Sequence, residues 1–253
     1  ALVLKWNLCE EADFFGPDTL RAHADYIKAI DPYDHPIAYH TFPHQVDNYE
    51  EHVGESRFSA SSIQYAPDNA GALVEEWRAN SAAAGHKWLI DMDENNPAGS
   101  GLTPNNADDL RKRVLYDVYF SGGQIEWYSG GSADQGLEEF RSREPMWNAM
   151  RYARTFMEDN LAFWTMDPHD ELVTGESGDF GGAEVFARLG DSYAIYLPRA
   201  TATGTLDLSG HAGEFERRWF NPRTGAFEGE VDLVMGDAQL ALGSPPSDAS
   251  QDW

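Results

Sequence analysis

Two glutamates carry the strongest chemical signal in this chain. Glu11 closes the run Ala1-Leu-Val-Leu-Lys-Trp-Asn-Leu-Cys-Glu-Glu11, and Glu94 closes Trp88-Leu-Ile-Asp-Met-Asp-Glu94. Each run is apolar and strand-like, and each ends in carboxylates. The C-terminal ends of buried parallel strands are where α/β proteins place their chemistry. Glu11 and Glu94 lie 83 positions apart, three steps of roughly 28 residues and so close to the ~30 of one βα repeat. Three such repeats in a barrel bring both acids to the same rim. A retaining glycosidase needs two carboxyl groups about 5–5.5 Å apart, one ionised to attack the anomeric carbon and one protonated to release the leaving oxygen. Glu11 and Glu94 are therefore the candidate catalytic pair, against the ordinary use of rim acids as helix caps or ion-pair partners.

Other residues group around this pair. Glu126, in Gln124-Ile-Glu-Trp-Tyr-Ser-Gly-Gly131, reads as a substrate hydrogen bonder at a later strand end. Trp127 and Tyr128 beside glycines offer aromatic faces that suit the C–H face of a pyranose. Asp91 and Asp93 flank Met92 in strand alternation and read as supporting acids. His40 and His44 follow an apolar run from Ile37 and could face the rim. They have the i,i+4 spacing of a helical metal pair, but Pro43 between them breaks the helix such a pair requires. No metal and no cofactor is expected. No phosphate-binding loop, zinc-protease motif, dinucleotide fingerprint or Gly-x-Ser-x-Gly elbow occurs.

Composition narrows the partners. The 253 residues hold 43 acidic against 18 basic side chains, a formal charge of −25, which disfavours nucleic acid because phosphate binding needs clustered Lys and Arg. The single cysteine, Cys9, excludes an internal disulfide and a multi-cysteine zinc site, and its strand context favours a buried, inert thiol. No run of about 18 apolar residues is present, so no membrane-spanning helix is expected.

The elements that must position these groups follow from periodicity. Strands are predicted near Leu2–Leu8, Ile37–Thr41, Ala60–Tyr65, Trp88–Met92 and Gln124–Tyr128. Helices are predicted near Asp18–Ile30, Ala70–Ala84, Ala107–Phe120 and Arg141–Asn160, with starts marked by Pro17-Asp18, Asp68-Asn69 and Asn105-Asn106. Beyond about Leu161 the pattern changes to short alternating strands near Ala183–Leu189, Tyr193–Pro198, Gly204–Leu208, Glu216–Phe220 and Gly229–Leu233, separated by glycine-containing turns. Five βα-type strands are too few to close an eight-stranded barrel. The expected fold class is α/β: the C-terminal part, about strands four to eight, of a (β/α)8 TIM barrel over residues 1–160, then a small antiparallel, sandwich-like β-domain over 161–253. The chain opens within a strand, so the remaining N-terminal barrel segment is expected from the same full-length protein.

Against this background the motifs look familiar. Trp6-Asn-Leu-Cys-Glu-Glu11 resembles the Trp-x-Leu-x-Asn-Glu strand ending of the clan A retaining glycoside hydrolases. More narrowly, Ser61-Ser-Ile-Gln64, Trp77-Arg78 with Ser81, Lys87-Trp88 through Glu94, Ile125-Glu-Trp-Tyr128, Phe140-Arg-Ser-Arg143, Trp219-Phe-Asn-Pro-Arg-Thr-Gly225 and Asp252-Trp253 resemble a bacterial family of secreted barrel proteins whose C-terminal β-domain bears a collagen-binding label. The resemblance implies a retaining hydrolase acting on a polysaccharide or oligosaccharide, with Glu11 as acid/base, Glu94 as nucleophile, and Asn7, Glu10 and Gln64 beside them in substrate binding. It implies an extracellular or periplasmic setting and a carbohydrate partner. Glu10 departs from the clan pattern, which has Asn there for the sugar 2-hydroxyl; a carboxylate can still accept that hydrogen bond, but it sets a like charge beside Glu11. Nothing in these residues speaks for collagen. The rival reading is a non-catalytic carbohydrate- or matrix-binding barrel protein.

Overall fold

The computed structural model describes residues 4–95, 102, 106–127 and 140–253. The chain divides into two compact units, Ala1–Thr103 with Gly122–Glu138, and Pro104–Ser121 with Glu139–Trp253.

In the first unit, short parallel strands pair in the order in which they occur. β1 (Trp6–Asn7) pairs with β2 (Ile37–Ala38). His40 then bridges to Ser62, Ala60 to Leu89 and Ile63 to Met92, and β3 (Asp91–Met92) pairs with β4 (Gln124–Ile125). Five successive segments thus form one parallel series. Among the described residues no pairing joins β4 back to β1, so the series is open.

Apolar side chains pack around this series. Ile37, Ala38, Ala60, Ile63, Ile90 and Met92 are buried, neighbours on both faces among them, as in parallel strands covered on both sides. Tyr49 locks the middle of the series: its hydroxyl donates to the Ser62 carbonyl at 2.7 Å and accepts the Ser62 N–H at 3.0 Å. Its ring meets Trp77 and Trp88 edge-on while those two indoles stack at 6.4 Å. Two helices make the connections. α1 (Pro17–Ile30) starts on a proline preset for the first turn and buries Leu20 and Ala24. α2 (Ala70–Ala83) buries Leu73, Val74 and Trp77 and is followed by Gly85 in the left-handed region, φ +87°, where a helix stop favours glycine.

The opening strand differs from expectation. Sequence periodicity predicts a buried strand, yet Leu4 is 77% and Trp6 37% exposed. Among the described residues β1 has a strand neighbour on one edge only, and the Trp6 indole N–H is held by Asp31 at 3.0 Å.

In the second unit, α3 (Ala107–Leu110) and α4 (Tyr116–Phe120) are joined by a π-helical turn at Arg111–Leu115. α5 (Glu144–Asn160) follows a short 3-10 turn. The strands are β5 (Asp167–Pro168), β6 (Val173–Glu176), β7 (Glu184–Arg188), β8 (Ser192–Tyr196), β9 (Thr203–Asp207), β10 (Glu214–Asn221), β11 (Ala226–Met235) and β12 (Gln239–Ala241). They form antiparallel sheets ordered β5-β7-β8 and β12-β9-β6, plus the hairpin β10–β11. Val173, Val185, Ala187, Leu206, Leu208 and Leu242 make a common core. At the hairpin turn Gly225 has φ +73°, and a Cβ there would lie 2.3 Å from the Tyr152 ring, so both conformation and contact demand glycine.

A buried ion pair ties the helical run to the C-terminal residues. Arg111 grips Asp252 with two parallel bonds of 2.8 and 3.0 Å, the Tyr196 hydroxyl donates to Asp252 at 2.9 Å, and Arg223 stands 3.3 Å away. Burial opposes ionisation of Asp252, but the hydrogen bonds and charge of Arg111 outweigh it and hold the carboxyl below its ordinary range.

Candidate active site

The carboxylates gather in the first unit, where the parallel segments end. Glu11 stops β1: its backbone is left-handed, φ 45° and ψ 61°, and the chain turns at once into a 3-10 helix. Glu94, beyond β3, is also left-handed, φ 49°. A non-glycine residue in this region costs about 1–2 kcal/mol, and such outliers collect at functional sites. Asp34, in a surface loop, shares the conformation, so the backbone alone does not identify the site; the side-chain contacts do.

Glu10, His40, Gln64 and Glu94 come together. The His40 ring is fully buried, and its Nδ1 lies 3.0 Å from Glu10 Oε1, while the Glu10 side chain keeps 66% of its surface. The Glu11 N–H points to the same Nδ1 at 3.5 Å. Gln64, itself buried, donates from Nε2 to Glu94 Oε2 at 2.6 Å. One donor atom each from Glu10, His40 and Glu94 lies within 4.8 Å of the others. Burial raises the proton affinity of Glu94 above its ordinary value; the charge of Glu10 adds to this, then Asp93 and Glu11, while His40 opposes. Glu10 therefore weighs more on Glu94 than Glu11 does.

Two polar relays flank the group. Asn7 donates to Ser62 Oγ at 3.3 Å, and Ser62 donates to Asp93 at 2.8 Å. Lys5 contacts the buried carboxylate of Asp91 and reaches Glu126 at 3.6 Å. Burial lifts Asp91 to about 7 against the opposing charge of Lys5, with Glu126 adding to the rise. A carboxyl held near neutrality beside a lysine can keep or release a proton across the physiological range.

The remaining candidates sit elsewhere. His44 is exposed with φ 62°, and its ring packs edge-on against Tyr65 at 4.4 Å. Trp127 is buried, at 9% exposure, and Glu126 is exposed. Tyr128 lies outside the described residues. Cys9 is partly buried, and that burial, with Asp13 and Glu10, pushes its thiol upward, away from nucleophilic use. Sequence reasoning passed over Lys5 and Ser62 as functional groups. A lysine inside an otherwise apolar strand is the signal that could have found the first, because a cation there demands a buried partner.

Two carboxylates this close, one half-buried and clamped by an amide, suit attack and proton transfer at an acetal carbon. Glu10, His40 and Glu94 together also have the donor types that hold a metal ion.

No family model matches the chain, and no curated protein matches it. Among solved structures it is similar to a "putative glycoside hydrolase" from Bacteroides vulgatus ATCC 8482, at 14% identity and a TM-score of 0.58. The likeness covers 98% of this chain and 50% of that one, so the chain spans about half the length of the structure it matches. At this identity the likeness is one of fold.

Proposed function

We propose that this chain carries the active site of a glycoside hydrolase that cleaves a polysaccharide or oligosaccharide with retention of configuration. The observation that carries the reading is the meeting of Glu94 with the Glu10 carboxylate, one oxygen of each lying within 4.8 Å of the other, beside Glu11 in the chain; so close an approach favours the narrow carboxyl spacing of retaining enzymes over the wide spacing of inverting ones. The open parallel series supports a partial (β/α)8 barrel, with the antiparallel strands as an appended β-domain. The fold of the Bacteroides vulgatus protein, and the name it carries, support the same reading. A secreted, bacterial setting belongs to the proposal, in keeping with the acidic composition.

In this mechanism Glu94 is the nucleophile. Burial and the charge of Glu10 raise the proton affinity of Glu94; the amide of Gln64, donating to its carboxylate, works toward the ionised form and orients the group for attack. Glu11 is the acid/base, protonating the leaving oxygen and later activating water. One observation favours a second assignment in which Glu10 takes that role: the Glu10 carboxylate joins Glu94 and His40.

Leaving-group dependence decides between them. A general acid matters most when the leaving group is poor. Glu11→Ala should lose activity on natural glycans yet keep its first step on an activated aryl glycoside, with azide restoring turnover. Glu94→Gln should lose that step on both substrates while remaining folded. If Glu10→Gln shows the leaving-group dependence instead, the acid is Glu10. Wild-type turnover by folded Glu94→Gln would remove the mechanism altogether, and sugar binding without turnover in the wild-type protein would leave a non-catalytic carbohydrate binder.

A further inference from the structure

We propose that Glu10, His40 and Glu94 form a binding site for a divalent ion of zinc-like chemistry, and that occupancy shuts off sugar hydrolysis. The blocking effect rests on the glycosidase reading above; the binding does not.

The donor set is one imidazole nitrogen and two carboxylate oxygens, the combination that favours zinc over the harder magnesium or calcium. The three atoms lie within 4.8 Å of one another. Ligands on a single tetrahedral zinc ion at about 2.0–2.2 Å stand about 3.5 Å apart, so a closure of about 1 Å is needed. Glu10, with 66% of its side chain exposed, can supply it by rotation and also leaves the ion a path from solvent. The other two ligands are held in place. His40 is fully buried, and Glu94 is fixed through Oε2 by the Gln64 amide at 2.6 Å, which leaves Oε1 for an ion. Metal sites commonly hold their ligand carboxylates by such outer hydrogen bonds.

The His40 ring is itself poorly satisfied. Among the described residues its buried Nε2 has no hydrogen-bond partner, so nothing on that side pins the proton to either nitrogen. On the other side of the ring, Nδ1 is approached by both the Glu10 carboxylate and the Glu11 N–H. One nitrogen cannot donate to the first and accept from the second at once. A cation bound among His40, Glu10 and Glu94 removes the need for a shared proton and cancels the repulsion between the two carboxylates. Three protein ligands also leave a coordination position open, as in catalytic rather than structural zinc sites. Bound to Glu94, the ion would occupy the oxygen that must attack the sugar.

The test is direct titration of the intact chain with Zn²⁺, and with Co²⁺ as an absorbing probe, in excess calcium to mask the general acidity of the surface. The expected result is one saturable site whose Co²⁺ spectrum shows nitrogen and oxygen ligation in a low-coordinate geometry. Glu10→Gln should weaken zinc by about ten-fold or more, and Asp34→Asn, an exposed control, should not. His40→Ala should abolish the site, with circular dichroism checking the fold; Glu10→Gln, at an exposed side chain, keeps the test decisive if His40→Ala does not fold. Absence of a saturable site in the wild-type chain, or unchanged zinc affinity in Glu10→Gln, overturns the proposal. Turnover that zinc leaves untouched while the site is filled overturns the blocking effect. A filled site in a chain that hydrolyses no sugar would sink the glycosidase reading and leave the metal site standing.

Discussion

Replacing Asp252 with alanine is the sharpest structural test, because it removes one side of a fully buried ion pair. Asp252 has no exposed surface and takes two bonds from Arg111 and one from the Tyr196 hydroxyl. The variant leaves the Arg111 guanidinium, with 8% of its side chain exposed, charged and paired only with the exposed Asp108 among the acids described beside it. Breaking one side of a buried pair costs about 3–5 kcal/mol. At a urea slope of ~2 kcal/mol per molar, the midpoint should fall by about 1.5–2.5 M, followed by tryptophan fluorescence and far-UV circular dichroism together. The triple variant Arg111→Met, Tyr196→Phe, Asp252→Leu should recover most of the loss, because a packed apolar replacement needs no compensating charge. The pH dependence has a definite sign. Asp252 is held below its ordinary value, so its contribution is present above that value and disappears as pH falls through the folded-state one; the gap between wild type and Asp252→Ala should close in acid. A midpoint shift below about 0.5 M at neutral pH would refute this account, since it lies far under the cost expected of breaking a buried pair.

Three further outcomes follow from the first unit. Gln64→Leu should lower kcat/KM by about ten- to a hundred-fold, from about 1.5–3 kcal/mol for a hydrogen bond to a charged group, and unchanged kinetics would show that the amide does not position Glu94. Because burial lifts Asp91 from 3.8 to about 7, the folded chain keeps a proton there that the unfolded chain releases; the stability of wild type relative to Asp91→Asn should fall as pH rises through that window, and a flat or rising difference in urea midpoints contradicts the assignment. Tyr49→Phe should cost about 1–3 kcal/mol in chemical denaturation, because the Ser62 N–H loses its buried acceptor and the Ser62 carbonyl keeps only the longer bond from the Thr41 N–H; a loss under about 0.5 kcal/mol would show that water replaces the hydroxyl.

Much of the framework could be read from periodicity, and the failures have identifiable causes. Ile37, Ile63 and Met92 announced the parallel segments because strands buried on both faces read as short continuous apolar runs. The stretch Ser59-Ala-Ser-Ser-Ile-Gln64 offered less, since Ser61, Ser62 and Gln64 are buried polar residues that an apolar pattern does not flag. Alternation also misleads at the site itself. Extrapolating β1 to Glu11 assumes extended backbone, but the left-handed turn there ends the period-two pattern, and it is the Glu10 side chain that meets His40 and Glu94. In the second unit β5, β6 and β12 escaped notice: two are short, and β6 contains Gly175, so none presents a run long enough to alternate. The 107–120 helix was legible, but its π-turn leaves no mark in composition.

The left-handed glutamates put durability and chemistry in opposition at single positions. Glycine at 11 or 94 would remove a steric cost of about 1–2 kcal/mol, offset in part by its greater unfolded-state freedom, so the replacement that the proposed mechanism forbids is also one that the fold tolerates well. Selection for persistence alone therefore pulls both positions toward glycine or asparagine, and under the proposed mechanism selection for turnover is what holds them at glutamate. A lineage that kept this scaffold but gave up catalysis should show the change first at these two sites, while Tyr49 and Trp77, which serve the fold, stay as they are. Aligned relatives with measured activity would reveal it: inactive members retaining both glutamates in left-handed backbone would argue that the residues are kept for some purpose other than hydrolysis.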